Sequence, residues 1–314
     1  MIFNPVKVDV ARLRDAVSAA ERREGWRHSM WLETTEAEPG AKQARHAAAD
    51  GVDVVIAAGG DGTVRAVAEG LRDTDVALAL MPAGTGNLLA RNLDMVLTRM
   101  ADSVDLAFSG DDRRIDVGVV EFDRPGGGTE EHSFLVMAGF GLDAKMIANA
   151  RPELKRRVGW LAYVDAILRS LRDTEKVRMR MRIDNGEERS SSVHTLIIGN
   201  CGALPGNIPL LPEAEVDDGL LDAVTLRPEG FVGWLQISAR MAWENSILRR
   251  SSVGRRLAGR SHGVRALRYM RVRKLTVRHE RPEQFELDGD PFGEVIGFRL
   301  RVDAGSLRVR VPAA

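Results

Sequence analysis

The stretch VVIAAGGDGTVRAV, residues 54–67, passes from an apolar run into a helical pattern through Gly59, Gly60, Asp61 and Gly62. On the helical side Val64, Val67, Ala68 and Leu71 recur at i, i+3, i+4 and i+7, which predicts one buried helix face. The turn between strand and helix is rich in residues without a Cβ. They permit positive φ and let a ligand touch the backbone. The helix that follows would aim free N–H groups and its positive dipole end at that ligand, with Asp61 or Thr63 as N-cap. Such a turn either binds phosphate or is a tight strand-to-helix connection with no ligand. Asp61 tips the choice, because a carboxylate beside phosphates implies a cation between them, and Mg²⁺ uses this combination of oxygen ligands. GxxxxGK[ST] is absent, and the third glycine of the dinucleotide fingerprint is missing.

One βα unit later ALALMPAGTGNLLARNL repeats the device with Pro82, Gly84, Thr85, Gly86 and Asn87. The first third alternates short apolar runs with amphipathic helices, the pattern of a mostly parallel sheet covered on both faces. Two phosphate-type turns at neighbouring strand ends mark the crevice where open α/β sheets bind ligands. Beyond Asp116 the chain reads as alternating strands, among them HSFLVMAGFG, SSVHTLIIGN, RVRKLTVRHE and GFRLRVDAG. A largely antiparallel sheet or sandwich is expected, interrupted by helical patterns at 152–172 and 231–250. With 314 residues, two domains are the default.

Lys plus Arg and Asp plus Glu number 45 each, which argues against a whole-protein polyanion binder. The balance is uneven: residues 249–281 hold twelve Lys or Arg and one acid, Glu280. A lone cysteine, Cys201, excludes an internal disulfide and any CxxC metal site. No apolar run approaches the roughly 20 residues of a membrane span, and the start has no signal-peptide pattern. A cytoplasmic protein is therefore expected.

GGDGT followed by PxGTxN resembles the diacylglycerol kinase catalytic family, which includes bacterial lipid kinases and the sphingosine and ceramide kinases. The likeness continues through Asn4-Pro5, Thr35, GFGLDA (139–144), VGWLAY (158–163), PEAEVDDGLLDAVTL (212–226) and FELDGDPFGE (285–294). It implies an α/β N-terminal Rossmann-like domain of NAD kinase/diacylglycerol kinase type over residues 1–118. A mainly antiparallel β-sandwich C-terminal domain for the lipid substrate would span 119–302, with the tail from about 303 to 314 packing back on the first. The implied activity is transfer of the γ-phosphoryl of Mg–ATP to a lipid hydroxyl, with diacylglycerol yielding phosphatidic acid. By resemblance, ATP would be contacted by Asn4, Pro5, Thr35, Gly59, Gly60, Asp61, Gly62, Thr63, Val64, Gly84 and Thr85, with Asp61 on the Mg²⁺–nucleotide side. A structural Mg²⁺ would sit at Glu215, Asp218 and Leu220, the first and last through backbone carbonyls. Asp290, third in the DG[ED] motif, would be the general base, although most bacterial relatives carry Glu there. The resemblance is also compatible with a homodimer.

The chain departs from the family at its opening, where Val6-Lys7 follows Asn4-Pro5 in place of a Ser/Gly turn, and Lys7 is a candidate to supply charge instead. No phosphate-binding lysine lies near the glycine turns. Arg65 and Arg91 are nearby, but both read more readily as solvated helix residues. Asp116 reads equally as a salt-bridge partner or a catalytic acid, and Asp217 and Asp222 as turn caps beside the metal loop. GFGLDA formally matches a dinucleotide turn but opens the strand-rich half. GRSHG (259–263) matches a hydrolase elbow around Ser261 without the strand that motif requires. The Arg-rich stretch 249–281, with Trp234, Leu235, Ile237 and Trp243, is a candidate peripheral contact with anionic membrane. Its alternation at 270–277 equally fits a strand with one solvated face. Nucleic acid is disfavoured, since Tyr269 is its one stacking aromatic. The alternative functions are an NAD kinase-like small-molecule kinase and a non-catalytic nucleotide-binding regulator.

Overall fold

A computed structural model describes residues 1–84, 86–95, 99–141, 176–204, 208–227 and 267–313. In the first part, strands β1 (Ile2–Phe3), β2 (Leu32–Glu33), β3 (Val54–Gly59) and β4 (Ala77–Pro82) run parallel in the order β2-β1-β3-β4. Between them lie α1 (Val10–Glu24), α2 (Ala41–Ala49), α3 (Asp61–Leu71), α4 (Leu88–Asn92) and α5 (Met100–Ser109). Successive strand residues feed opposite layers, as the pleat requires. Val55, Ala57, Leu78 and Leu80 pack with Ala44, Val67 and Leu71 of α2 and α3. Ile56, Ala58, Ala79 and Met81 pack with Leu13 and Val17 of α1 and with Val104 and Phe108 of α5. Burial on both faces explains why these strands read as continuous apolar runs rather than as alternation.

The second part is antiparallel: β5 (Asp111–Asp123), β6 (Thr129–Phe134), β7 (Met137–Phe140), β8 (Val177–Ile183), β9 (Arg189–Val193), β10 (Thr195–Gly199), β13 (Leu221–Leu226), β14 (Leu267–Val272), β15 (Lys274–Leu287) and β16 (Asp290–Val311), with a small β11 (Ala203–Leu204) and β12 (Ile208–Pro209) hairpin. Phe122, Phe134, Phe140, Phe285 and Phe298 are buried in its core. The two parts share one hydrogen-bonded sheet through β16. Its first half pairs with β15, it runs along β5 for most of its length, and Arg308–Val309 join Ala77–Leu78 of β4 in parallel.

Several strands differ from their sequence reading for identifiable reasons. HSFLVMAGFG divides into β6 and β7, because the N–H groups of Leu135 and Val136 leave the ladder for the Asp288 carboxylate. SSVHTLIIGN divides at His194, whose N–H donates to Leu226 O at 2.9 Å. RVRKLTVRHE divides at Arg273, between β14 and β15, and its part from Lys274 on is joined with the first five residues of EQFELDGD, 283–287, in one bulged strand, β15. The helical patterns at 152–172 and 231–250, the end of GFGLDA from 142 on, GRSHG, and the sequence around Trp234 and Trp243 lie outside the described residues. Among the described residues no helix is long and apolar enough to cross a membrane.

Among the described residues Asp116 makes neither the salt bridge nor the catalytic contact its sequence setting suggested. Its buried carboxylate accepts N–H from Gly219 at 2.6 Å and from Gly305 at 2.7 Å, while its own N–H donates to Val216 O. Burial pushes its pKa up, against the pull of those two amides. It thus fastens the 216–219 loop to β16 where that strand crosses between the two parts. Replacing Asp116 by Ala would leave two amides without their acceptor, and a loss of roughly 2–4 kcal/mol is expected in urea unfolding. An unchanged midpoint would show that the clamp contributes nothing.

Candidate active site

Strand order reverses between β1 and β3, which opens a crevice at their carboxyl ends. Asn4, just past β1, donates its N–H to Ala58 O at 2.9 Å, and its side chain accepts from Val6 N at 3.0 Å. Lys7 N closes the turn on Asn4 O. The altered opening therefore still makes a tight turn, built on the asparagine rather than on glycine. It brings the Lys7 ammonium over the glycine turn, where a Cβ on Gly60 would lie 2.8 Å from Lys7 Nζ. The cation missing beside the glycine turns comes from the β1–α1 connection.

Gly60, not Asp61 or Thr63, is the N-cap of α3, in extended conformation and with no side-chain cap. Thr63 is buried with its side chain folded against Gly59, and Val64 points into the core. The first N–H groups of the helix are left facing the turn mouth. Asp61 caps a different helix: Oδ2 accepts Asn87 N at 2.9 Å and Oδ1 accepts Leu88 N at 2.6 Å, at the start of α4. Asn87 sits in the left-handed region at φ 47° and exchanges two hydrogen bonds with the Gly84 backbone. The two glycine turns touch: a Cβ on Gly84 would lie 2.8 Å from Gly60 Cα. Burial pushes the Asp61 pKa up against the amides of Leu88 and Asn87, and the charge of Asp290 adds to the rise. Thr85 lies outside the described residues. Arg91 is exposed, as expected, and its Nε donates to Gly86 O at 2.7 Å.

The third component arrives from the far end of the chain. Asp288 and Gly289 form a two-residue hairpin between β15 and β16 with φ of 50° and 86°, the mirror-image turn that Asp-Gly favours. Asp288 is buried, and its carboxylate accepts three consecutive N–H groups, from Leu135, Val136 and Met137, at 2.8–3.0 Å. Burial nevertheless pushes its pKa up to about 6, opposed by those amides and by the charge of Arg65. Burial, with the Asp288 charge, also pushes up the Cys201 thiol beneath it. Asp290 is half-exposed and abuts α3, where a Cβ on Gly62 would lie 2.7 Å from Asp290 Oδ2. Arg65 is no solvated helix residue. Its side chain is 11% exposed, Nη2 is 3.5 Å from Asp290 Oδ2, and the guanidinium carbon lies 4.5 Å from the centre of the Phe292 ring.

The structure thus joins Asn4, Gly59 to Val64, Gly84 and Asp290, and adds Lys7, Arg65, Asp288 and Phe292. Pro5 lies in the Asn4 turn, and the exposed Thr35 follows β2 with its hydroxyl accepting Glu38 N at 3.1 Å. The acidic loop is held separately, by the Asp116 clamp. There Asp218 Oδ1 accepts Leu220 N at 2.9 Å and Glu215 is exposed. Asp217 and Asp222 are ion-pair partners rather than turn caps, to Arg113 at 2.7 Å and Arg271 at 3.5 Å. Among the described residues no three His, Cys, Asp or Glu side chains converge on a metal position. A cation at this loop would need backbone carbonyls, which hard cations accept.

The chain is similar to one group of known proteins. Residues 2–120 match the diacylglycerol kinase catalytic domain, and residues 135–241 match the YegS C-terminal NAD kinase beta sandwich-like domain. A Pseudomonas aeruginosa UCBPP-PA14 protein named "Probable lipid kinase YegS-like" is 31% identical over 306 residues, covering 96% of this chain and 90% of its own length. A Mycobacterium tuberculosis protein named "Diacylglycerol kinase" is 31% identical over 186 residues, 58% of this chain and 59% of its own. The fold is similar to that of a diacylglycerol kinase from Bacillus anthracis str. Sterne, with TM-score 0.68 and 17% identity over 99% of this chain and 95% of that one.

The raised pKa of Asp288 has a measurable sign. Between its ordinary value of 3.8 and about 6 the folded state holds the proton more tightly than the unfolded chain. Stability from this group is therefore full below pH 4 and is lost as pH rises to 6, on the order of 3 kcal/mol. Asp61, Asp116 and Asp222 shift in the same direction but remain in an Asp288→Asn variant. Urea unfolding at pH 4, 5, 6 and 7 should accordingly show a decline in the wild type that is shallower in the variant; parallel curves would remove the burial cost assigned to Asp288.

Proposed function

This chain belongs to the YegS-like lipid kinases of the diacylglycerol kinase catalytic family, phosphotransferases with an alcohol group as acceptor, and we propose that its crevice uses Mg²⁺–ATP to phosphorylate diacylglycerol. The observation that carries this reading is the hairpin tip: a half-exposed carboxylate from the β-rich part lies against the glycine turn of the α/β part, at Gly62. A nucleotide binder alone has no use for a base at its phosphate turn. A phosphotransferase needs one there.

The residues present fit a nucleoside triphosphate. Gly60 and Gly84 expose bare backbone, α3 offers its N-terminus, and Lys7 supplies a cation to the same turn. In this reading Gly59 to Val64, Asn4, Pro5, Thr35, Gly84 and Thr85 form the ATP side, with Asp61 keeping both turns in register. Mg²⁺–ATP, when bound, supplies a γ-phosphorus with part of its charge neutralised. Asp290 accepts the proton of the lipid hydroxyl as that oxygen bonds to the γ-phosphorus and the bond to the bridging oxygen breaks, leaving ADP. Asp288 holds the hairpin so that Asp290 meets the hydroxyl at the turn. A second Mg²⁺ at the 215–220 loop would be held by Asp218 and the carbonyls of Glu215 and Leu220. The acceptor reaches the site from a lipid surface, with peripheral contact through the basic residues of 249–281.

Purified protein with Mg²⁺ and labelled ATP should phosphorylate diacylglycerol in mixed micelles, within a panel that also holds sphingoid bases, ceramides, glycolipids and NAD. Product from NAD alone would favour a small-molecule kinase, and ATP binding with no product a regulator. Asp290→Asn should lower kcat by about 10²–10⁴ while ATP affinity stays close to that of the wild type. Equal loss of both would remove Asp290 as the base.

A further inference from the structure

Arg65 is a buried cation with a geometry that the nucleotide reading leaves unused. It sits one helical turn after Asp61 on α3, so both residues share the helix face turned toward the hairpin. Asp290 and Phe292, two apart in β16, share a strand face. That strand face meets the guanidinium twice. The carboxylate takes one edge at 3.5 Å and the Phe292 ring covers the plane at 4.5 Å. Arg65 Nε is buried without a hydrogen-bond partner among the described residues, so the group has given up hydration for this placement. A buried, incompletely bonded arginine is costly unless a charge faces it. Here the facing charge is the carboxylate proposed as base.

We propose that Arg65 is a positioning residue for phosphoryl transfer: locked over Phe292, its guanidinium holds Asp290 against the glycine turn of the same helix. The inference rests on the reading of Asp290 as base. Phosphate turn and Arg65 belong to one rigid segment, α3, so the distance from turn to base is set by a single helical turn. An aspartate is one methylene shorter than the glutamate more usual in the family, and a fixed anchor beside it keeps a short base at the turn. Among the described residues, the charges facing Asp290 are Arg65 and Asp61, both from α3. With Arg65 removed, the like charge of Asp61 would be left to push Asp290 away from the turn. Arg65 is a poor candidate for a nucleotide ligand, because its plane is covered and its exposed fraction is small.

The test compares Arg65→Met, Arg65→Lys and Asp290→Asn in the full chain, with kcat and KM for ATP and for diacylglycerol in mixed micelles measured from pH 5 to 9. Arg65→Met should lower kcat at least about tenfold, with KM for ATP within about twofold of wild type. Arg65→Lys keeps the charge yet should lose several-fold in kcat for want of the flat, stacked group. In the Asp290→Asn background Arg65→Met should cost nothing further. Wild-type kcat in Arg65→Met, or a raised KM for ATP with kcat intact, would overturn the proposal. If Arg65→Met does not fold, Arg65→Lys at wild-type kcat overturns it. Full activity in Asp290→Asn would sink the base itself. The carboxyl carbon resonance of Asp290, followed by NMR titration in wild type and Arg65 variants, then decides whether Arg65 acts on it: an identical titration in all three would refute the pairing whatever the chemistry.

Discussion

The joining of the two parts into one site rests on a single buried carboxylate. Asp288 accepts three consecutive backbone N–H groups from the break between β6 and β7 and donates its own N–H to Met137 O. Those amides cannot be used elsewhere without leaving a buried donor unpaired, so the β-rich sheet is interrupted where the hairpin needs an anchor. A two-residue turn with both φ positive has no slack. Fixing Asp288 therefore fixes Asp290. The two acids of one three-residue run divide the labour by environment: the first is 5% exposed and structural, the second is half-exposed and left with one oxygen 3.5 Å from an arginine.

Asp61 plays the corresponding part on the α/β side. Its side chain reaches the start of α4, where it accepts two amides and makes one surface of two turns whose nearest members in sequence, Gly62 and Pro82, lie 20 residues apart. The contact is close enough that Gly60 and Gly84 leave no room for a Cβ between them. The Asp in GGDG is thus needed by the fold before any ligand arrives. That does not exhaust it, since each carboxylate oxygen has a second lone pair to offer.

Most of the site was legible because its parts are local. Glycine turns between an apolar run and a helix, and an Asp-Gly pair between alternating strands, carry their conformation in adjacent residues. The burial of Arg65 was not legible, because an arginine in an exposed-looking helix position gives no sign that Phe292, over 200 residues later, will cover it. Asp116 misled for a related reason. Its partners are backbone N–H groups at Gly219 and Gly305, which no pattern of side chains announces. Strand limits failed where tertiary hydrogen bonds took amides out of the ladder, at Leu135–Val136 and at His194. The continuity of β16 from one part to the other is likewise a property of pairing, not of its own alternation.

The two cations at the crevice come from outside the glycine turns, and each answers a different departure from the family pattern. Lys7 leans over Gly60 from a turn built on Asn4, where relatives use small residues to bring backbone close. Arg65 faces Asp290, an acid one methylene shorter than the glutamate usual in the family. Around Gly60 to Gly62 the carboxylates of Asp61 and Asp290 stand against these two cations, so no surplus of positive charge is left for a bare triphosphate. A divalent cation carried by the nucleotide would supply it. The same balance explains why a second positive group beside Asp290 is useful: it offsets the repulsion between that carboxylate and approaching phosphates.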